Sequence, residues 1–228
     1  GYDTPRALAA LGEGAFGSPY AVLSSTLVRA TPLLFVGLAV GFSFRAGVLN
    51  IGAEGQLLAG ATMAVTTGLL LGGFPRPLAL PLVLLAGAAA GSAWAGIAAW
   101  LKQQFGVLEV ISTLMLNFVA SYLVSWAVRG PLQEPTHVYP QTVELADAVR
   151  LPALIAGHRV HLGFVLALAL AGALWWFLMY TAAGFRVRAV GAGARAARSA
   201  GGINTSRTAA LVFIASGALA GLGGASEV

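Results

Sequence analysis

Two carboxylates, several amides and a run of hydroxyls lie within apolar sequence. The first group is Asn50, Glu54 and Gln56, inside the stretch Phe44-Arg45-Ala46-Gly47-Val48-Leu49-Asn50-Ile51-Gly52-Ala53-Glu54-Gly55-Gln56. The second starts at Glu109 and recurs every four residues through Thr113, Asn117, Ser121 and Ser125, with Ser112 broadening the row. Such groups can hydrogen-bond a polar solute crossing a membrane, carry a proton or ion, or work as an acid–base pair. A Glu54/Glu109 acid–base pair would make the chain an intramembrane enzyme. The interiors of the apolar segments hold no His, Lys or metal-ligand partner for that chemistry, which makes it the weakest of the three. A proton- or ion-coupled secondary transporter would use the same carboxylates.

Other chemistries are excluded more sharply. There is no cysteine, so no thiolate nucleophile, disulfide or Cys-based metal site. His137, His158 and His161 have no i, i+4 spacing and read as solvated loop residues, so no metal site is expected. No G-x-x-x-x-G-K-[ST] phosphate loop and no G-x-S-x-G elbow occurs. Gly191-Ala-Gly193-Ala-Arg-Ala196 follows a strand-like Arg186-Val-Arg-Ala-Val190 and imitates a dinucleotide fingerprint. That fingerprint needs a βαβ unit and an acid about 20 residues on. Here the flanks are apolar spans and the next acid is Glu227.

The elements that must hold these residues are membrane helices. Of 228 residues, 58% are hydrophobic and 9% charged, and mean hydropathy is +0.83. A soluble domain carries about 25% charged residues. The expected fold is all-α, a polytopic transmembrane helical bundle with about six membrane segments. These are Tyr20–Phe44, Leu57–Leu71, Leu78–Leu101, Val107–Val128, His161–Tyr180 and Thr208–Val228. The first could begin at Thr31 instead, because Arg29 and Pro32 interrupt it. Fourteen residues from Thr31 span only about 21 Å, too short to cross, and a broken or re-entrant helix through 45–56 would result. A hydrophilic turn between two spans fits residues 45–56 as well. Glycine pairs at i, i+4, namely Gly37/Gly41, Gly87/Gly91 and Gly217/Gly221, predict close helix packing. Residues 1–18 read as a loop or short surface helix. The chain is treated as a single domain over 1–228, expected to be a fragment lacking helices at both ends.

The net charge is +5, which in a soluble protein would suggest nucleic acid. Here the excess sits in residues 181–207, which carry Arg186, Arg188, Arg195, Arg198 and Arg207 and no acid. Membrane orientation explains it, and no nucleic-acid partner is expected. Residues 181–207 are placed in the cytoplasm. Alternation then puts 129–160 outside, 102–106 inside, 72–77 outside and the 45–56 break toward the inside. The row from Glu109 turns slowly round its helix, about 40° per four residues. Bonding between helices and the lining of a path both fit it.

Three stretches resemble a known family. They are Arg45-Ala-Gly-Val-Leu-Asn-Ile-Gly-Ala-Glu-Gly-Gln56, Glu109-Val-Ile-Ser-Thr-Leu-Met-Leu-Asn117 and Ser216-Gly-Ala-Leu-Ala-Gly-Leu-Gly-Gly-Ala225. Together they resemble permease subunits of bacterial ABC importers, in the branched-chain amino acid and simple-sugar class, nucleoside-type branch. The resemblance implies a multi-pass protein of the inner (plasma) membrane. It implies a translocation path for a small polar solute, nucleoside- or sugar-like, on which Asn50, Glu54, Gln56, Glu109, Ser112, Thr113 and Asn117 would lie. It also implies partners: an ABC ATPase that binds the ATP this chain cannot, a second permease subunit, an extracytoplasmic solute-binding lipoprotein and the lipid bilayer. No cofactor is expected in this chain. A short helix at 194–200, ending at Gly201-Gly202, corresponds to the family's coupling helix, with Ala194, Arg195, Ala196, Ala197, Arg198 and Ser199 meeting the ATPase. The family usually has an Asn-Pro-like pair and an acid where this chain has Gly193, Ala194 and Arg195.

Overall fold

The computed structural model describes residues 3–228, apart from the side chain of Ala200, and among them the fold is helical with no strand. Helix α1 (Thr4–Phe16) is capped by Asp3, whose carboxylate accepts from the Arg6 N–H. It is tied to the next helix by the Thr26 hydroxyl, 2.8 Å from the Ala15 carbonyl. Helix α2 runs unbroken from Pro19 to Arg45. It absorbs an extra residue in a π-turn at Val22–Thr26 and takes Pro32 in its interior. The short span starting at Thr31 is therefore not what forms; α2 has 27 residues, about 40 Å.

Helix α3 (Ala53–Leu71) follows after a short non-helical turn. Then come α4 (Arg76–Phe105) and α5 (Glu109–Arg129), joined by a tight link in which Gly106 takes φ +68°, left-handed geometry that glycine adopts freely. Helix α6 (Leu162–Tyr180), α7 (Ala182–Ala192), α8 (Ala194–Gly201) and α9 (Thr205–Ser226) complete the chain. The strand-like Arg186–Val190 is thus the middle of α7. Helices α2, α4, α5, α6 and α9 are long and apolar enough to cross a membrane. Helix α3 is 19 residues long but is not among these five; its first turn contains Glu54 and Gln56.

Helix α9 is the axis. Half of its most apolar window is buried, against at most 28% for the other four spans. Its packing needs glycine. A Cβ on Gly87 would stand 2.6 Å from the Ala225 Cβ, and one on Gly217 2.5 Å from the Ala95 Cβ. Gly60 and Gly91 meet the backbone of Gly221 and Gly217, so α3, α4 and α9 touch backbone to backbone. The dispersion gained where glycine lets the backbones approach this closely replaces the hydrophobic drive that lipid does not supply. Gly37 and Gly41 behave differently: a Cβ on either would meet nothing within 4 Å. That predicted pair makes no close helix contact within this chain.

The ends of the bundle sort as the charge pattern predicts. The Arg76 guanidinium donates to the Arg150 carbonyl at 2.8 Å, and Gly68 packs on Leu145 and Val149, so 72–77 and 129–160 share one end. The Ser24 hydroxyl joins them there, 3.3 Å from His158 Nδ1. The turn after α2, residues 102–109 and residues 190–206 gather at the other end. Two histidines are not simply solvated: His158 meets Ser24, and His161 caps α6 by accepting from the Gly163 N–H.

Candidate functional site

The turn Ala46–Gly52 does not sit at the surface of its end of the bundle. Asn50 reaches Ser216, eleven residues along α9 from Thr205. A Cβ on Gly55 would lie 3.0 Å from the indole nitrogen of Trp94, eleven residues before the end of α4. Each offset corresponds to about 16 Å of helix. The turn is therefore recessed between α4 and α9, and α2 and α3 form a hairpin whose tip lies within the bundle.

Irregular backbone at such depth must find its hydrogen bonds in the protein. Asn50 and Gln56 supply them. Asn50 Nδ2 donates to Gln56 Oε1 at 2.9 Å, and Gln56 Nε2 donates back to Asn50 Oδ1 at 3.0 Å. Asn50 also donates to Ser216 Oγ at 2.8 Å and accepts from the Gly52 N–H at 3.1 Å. The Ser216 hydroxyl passes the chain on to the Phe213 carbonyl. Both amides are 1% exposed. Asn117 provides a second clamp from α5. Its Oδ1 accepts from the Gly55 N–H at 2.8 Å and its Nδ2 donates to the Ile51 carbonyl at 3.0 Å. The hairpin tip is thereby pinned to α9 by one amide and to α5 by another.

The predicted path residues thus do not form one cluster. Asn50, Gln56 and Asn117 come together as the clamp, with buried Thr113 against Gly52. Ser112 is buried and bonds back to the carbonyls of Leu108 and Glu109. Glu54 is exposed on the first turn of α3, beside exposed Ile51, and does not meet Glu109. Glu109 instead pairs with Lys102 at 2.8 Å across the α4–α5 link. Lys102 lies in the last turn of α4 and Glu109 begins α5, so each charge also complements its helix dipole. The outer half of the row leaves the interface as the winding predicts, and Ser121 is exposed.

Below the recessed tip lies a cavity of about 390 Å³. Ala46, Gly47 and Val48 form its roof, and Lys102, Glu109, Arg198, Thr205 and Phe213 are among its walls. Helix α8 borders it through Ala194 and Arg198. Gly193, extended at φ −179°, precedes α8, and Gly202 at φ +59° ends it. Arg198 donates to Thr205 Oγ1 at 2.7 Å, folding α8 onto the start of α9. Arg195, Ala196 and Ser199 are exposed, while Ala197 is turned into the protein. Sequence reasoning missed two partners. Ser216 was visible as a hydroxyl in a small-residue helix. Trp94, whose buried Nε1 has no hydrogen-bond partner among the described residues, gave no signal.

Apolar spans around a hairpin tip pinned by buried amides, with a short basic helix at the same end, define a polytopic membrane protein with an interrupted segment. Comparison with known proteins gives the family. The chain belongs to the branched-chain amino acid transport system permease components, whose pattern it matches over residues 22–228. It is similar to a glucose ABC transporter permease of Haloferax volcanii, 42% identical over 220 residues, covering 90% of this chain and 56% of that one. It is 38% identical to a guanosine ABC transporter permease of Bacillus subtilis over 230 residues, covering 100% of this chain and 65% of the relative. A nucleoside ABC transporter permease of Lactococcus lactis is 29% identical, with coverages of 89% and 57%. The chain thus spans between about half and two thirds of the length of these relatives. No solved structure matches it. Family and spans together make it a multi-pass protein of the inner (plasma) membrane.

Proposed function

We propose that the chain forms part of the membrane subunit of an ABC importer, a transport component rather than an enzyme, moving a small polar solute with energy from a separate ATPase. The observation that carries this reading is the recessed hairpin tip standing over a cavity, bordered by α8, whose walls include Lys102, Glu109 and Arg198. A tip held at depth by buried amides and close packing can close a path, and the cavity beneath it gives a polar solute somewhere to go. The relatives named for guanosine, nucleosides and glucose support a hydroxyl-rich solute. In this reading Asn50, Gln56 and Asn117 position the tip, whereas Glu54 is exposed on the first turn of α3 and Glu109, paired with Lys102, lines the cavity. The exposed row Arg195, Ala196 and Ser199 of α8 meets the ATPase, which holds the ATP. A second permease subunit covers the free face of α5, and a binding lipoprotein delivers solute to the opposite end.

The test is reconstitution of the full-length protein with a candidate partner ATPase from the same organism. ATP-dependent uptake of labelled guanosine or glucose is expected, together with a disulfide between cysteine at Ala196 and the ATPase. Uptake driven by a proton gradient with no ATPase would replace this reading with a secondary transporter.

A further inference from the structure

A second cavity, of about 590 Å³, lies at the same end of the bundle as α8, between α7 and the start of α9. Its charged lining is Arg186 from α7 and Arg207 from α9, with no carboxylate. Neither arginine has an ion-pair partner among the described residues. Orientation in the membrane accounts for basic residues in this part of the chain. It does not require two of them, from separate elements, to border one cavity.

The surroundings are those of a membrane interface. Trp175, Trp176 and Tyr180 are exposed at the end of α6, directly before α7, and such aromatics sit at headgroup level. Leu211 lines the cavity one turn along α9 from Arg207, toward the span, and is 57% exposed. Phe185, next to Arg186, is exposed as well. Asn204 and Thr208 add polar groups to the rim, and the first turn of α9 contributes its positive dipole end. Guanidinium groups grip phosphate oxygens bidentately.

We propose that this cavity binds the phosphate headgroup of an anionic membrane lipid, with the acyl chains lying along Leu211. The chemistry recognised is a phosphate anion. The lipid is the favoured source because the cavity continues onto exposed apolar surface, which a free phosphate ion would leave bare. The bound lipid would bridge α7 to the α8–α9 link.

The experiment is lipid binding by the full-length protein in nanodiscs, read by native mass spectrometry. Discs of phosphatidylcholine alone are compared with discs containing phosphatidylglycerol. Retained phosphatidylglycerol is expected, with affinity falling about fivefold for Arg186→Gln or Arg207→Gln and more for the pair, since each basic group near the surface contributes on the order of 1 kcal/mol. Arg186→Lys and Arg207→Lys, which keep the charge, should bind at an intermediate level. An equal loss with Arg195→Gln, outside the cavity, would mean diffuse surface charge and overturn the proposal. So would millimolar inorganic phosphate that displaces the lipid, or no preference for phosphatidylglycerol at all.

Discussion

Replacing Asn50 with leucine tests the clamp directly, because the two side chains are similar in size and differ in hydrogen bonding. Asn50 makes four side-chain hydrogen bonds: two with Gln56, one to Ser216 and one from the Gly52 N–H. The variant strands the Gln56 amide, 1% exposed, and the N–H of buried Gly52, while Ser216 keeps its bond to Phe213. A stranded buried group costs about 1–3 kcal/mol. Two of them, with some local relaxation, give an expected loss of about 3 kcal/mol. Gln56→Leu should cost less, because Asn50 retains Ser216 and Gly52. The double variant should lose less than the sum, with a coupling of about 1 kcal/mol. Interhelical hydrogen bonds in membranes average only about 0.6 kcal/mol, so the stranding of polar groups supplies most of the effect. The assay is reversible unfolding of the full-length protein in mixed micelles. If Asn50→Leu unfolds within about 0.5 kcal/mol of the parent, or the two changes are additive within about 0.5 kcal/mol, the amides are not a coupled clamp.

Three further outcomes are expected. Cysteines introduced at Thr136 and Ser199, both exposed in a chain without cysteine, should label from opposite sides of the membrane; labelling from one side refutes the orientation. Gly87→Leu should destabilise by about 1–3 kcal/mol or more through overpacking, because its Cβ would meet Ala225, whereas Gly37→Leu has open space; equal effects on thermal stability would contradict the glycine seam. Hydrogen bonds from Gln141, chiefly, and Thr136 hold the Glu134 carboxyl below its ordinary value. Its contribution to loop order is thus present above the ordinary carboxylate pKa and lost as pH falls through the lowered one, and Gln141→Ala should move that loss to higher pH, as a fluorophore at Thr142 would report.

The span pattern was legible because a membrane helix needs only length and apolarity, and 161–180 or 208–226 offer little else. The beginning of α2 was harder. Arg29 and Pro32 look like an interruption, yet a π-turn and the helices around it carry α2 through both. The polar residues of the recessed tip were also legible as a set, since amides in apolar sequence must bond to something. What they bond to was not. Reciprocal pairing of Asn50 with Gln56 depends on the turn geometry set by Gly47 at φ +72°, and Asn117 reaches Gly55 only because α5 lies beside α3. The glycine pairs show the same limit: identical spacing at Gly37/Gly41 and Gly87/Gly91 gives open space in one case and backbone contact in the other. Spacing defines a face, and the neighbour that meets it comes from the rest of the fold.

The α7–α8 segment is linked to the recessed tip through two sets of physical contacts rather than by proximity alone. At one, Gly191 at the end of α7 presses on the Arg45 carbonyl and on Gly47, where α2 gives way to the tip. At the other, Arg198 of α8 bonds Thr205 at the start of α9, the helix whose Ser216 holds Asn50. A push on α8 therefore meets both strands of support for the tip. Ala197, 8% exposed, shows how little slack this junction has: its carbonyl takes the Ile203 N–H at 3.2 Å to close the turn. A bulky side chain there would disturb the junction itself, whereas one at exposed Ala196 would disturb only what docks on α8. The two positions, adjacent in sequence, separate the helix's internal role from its external one.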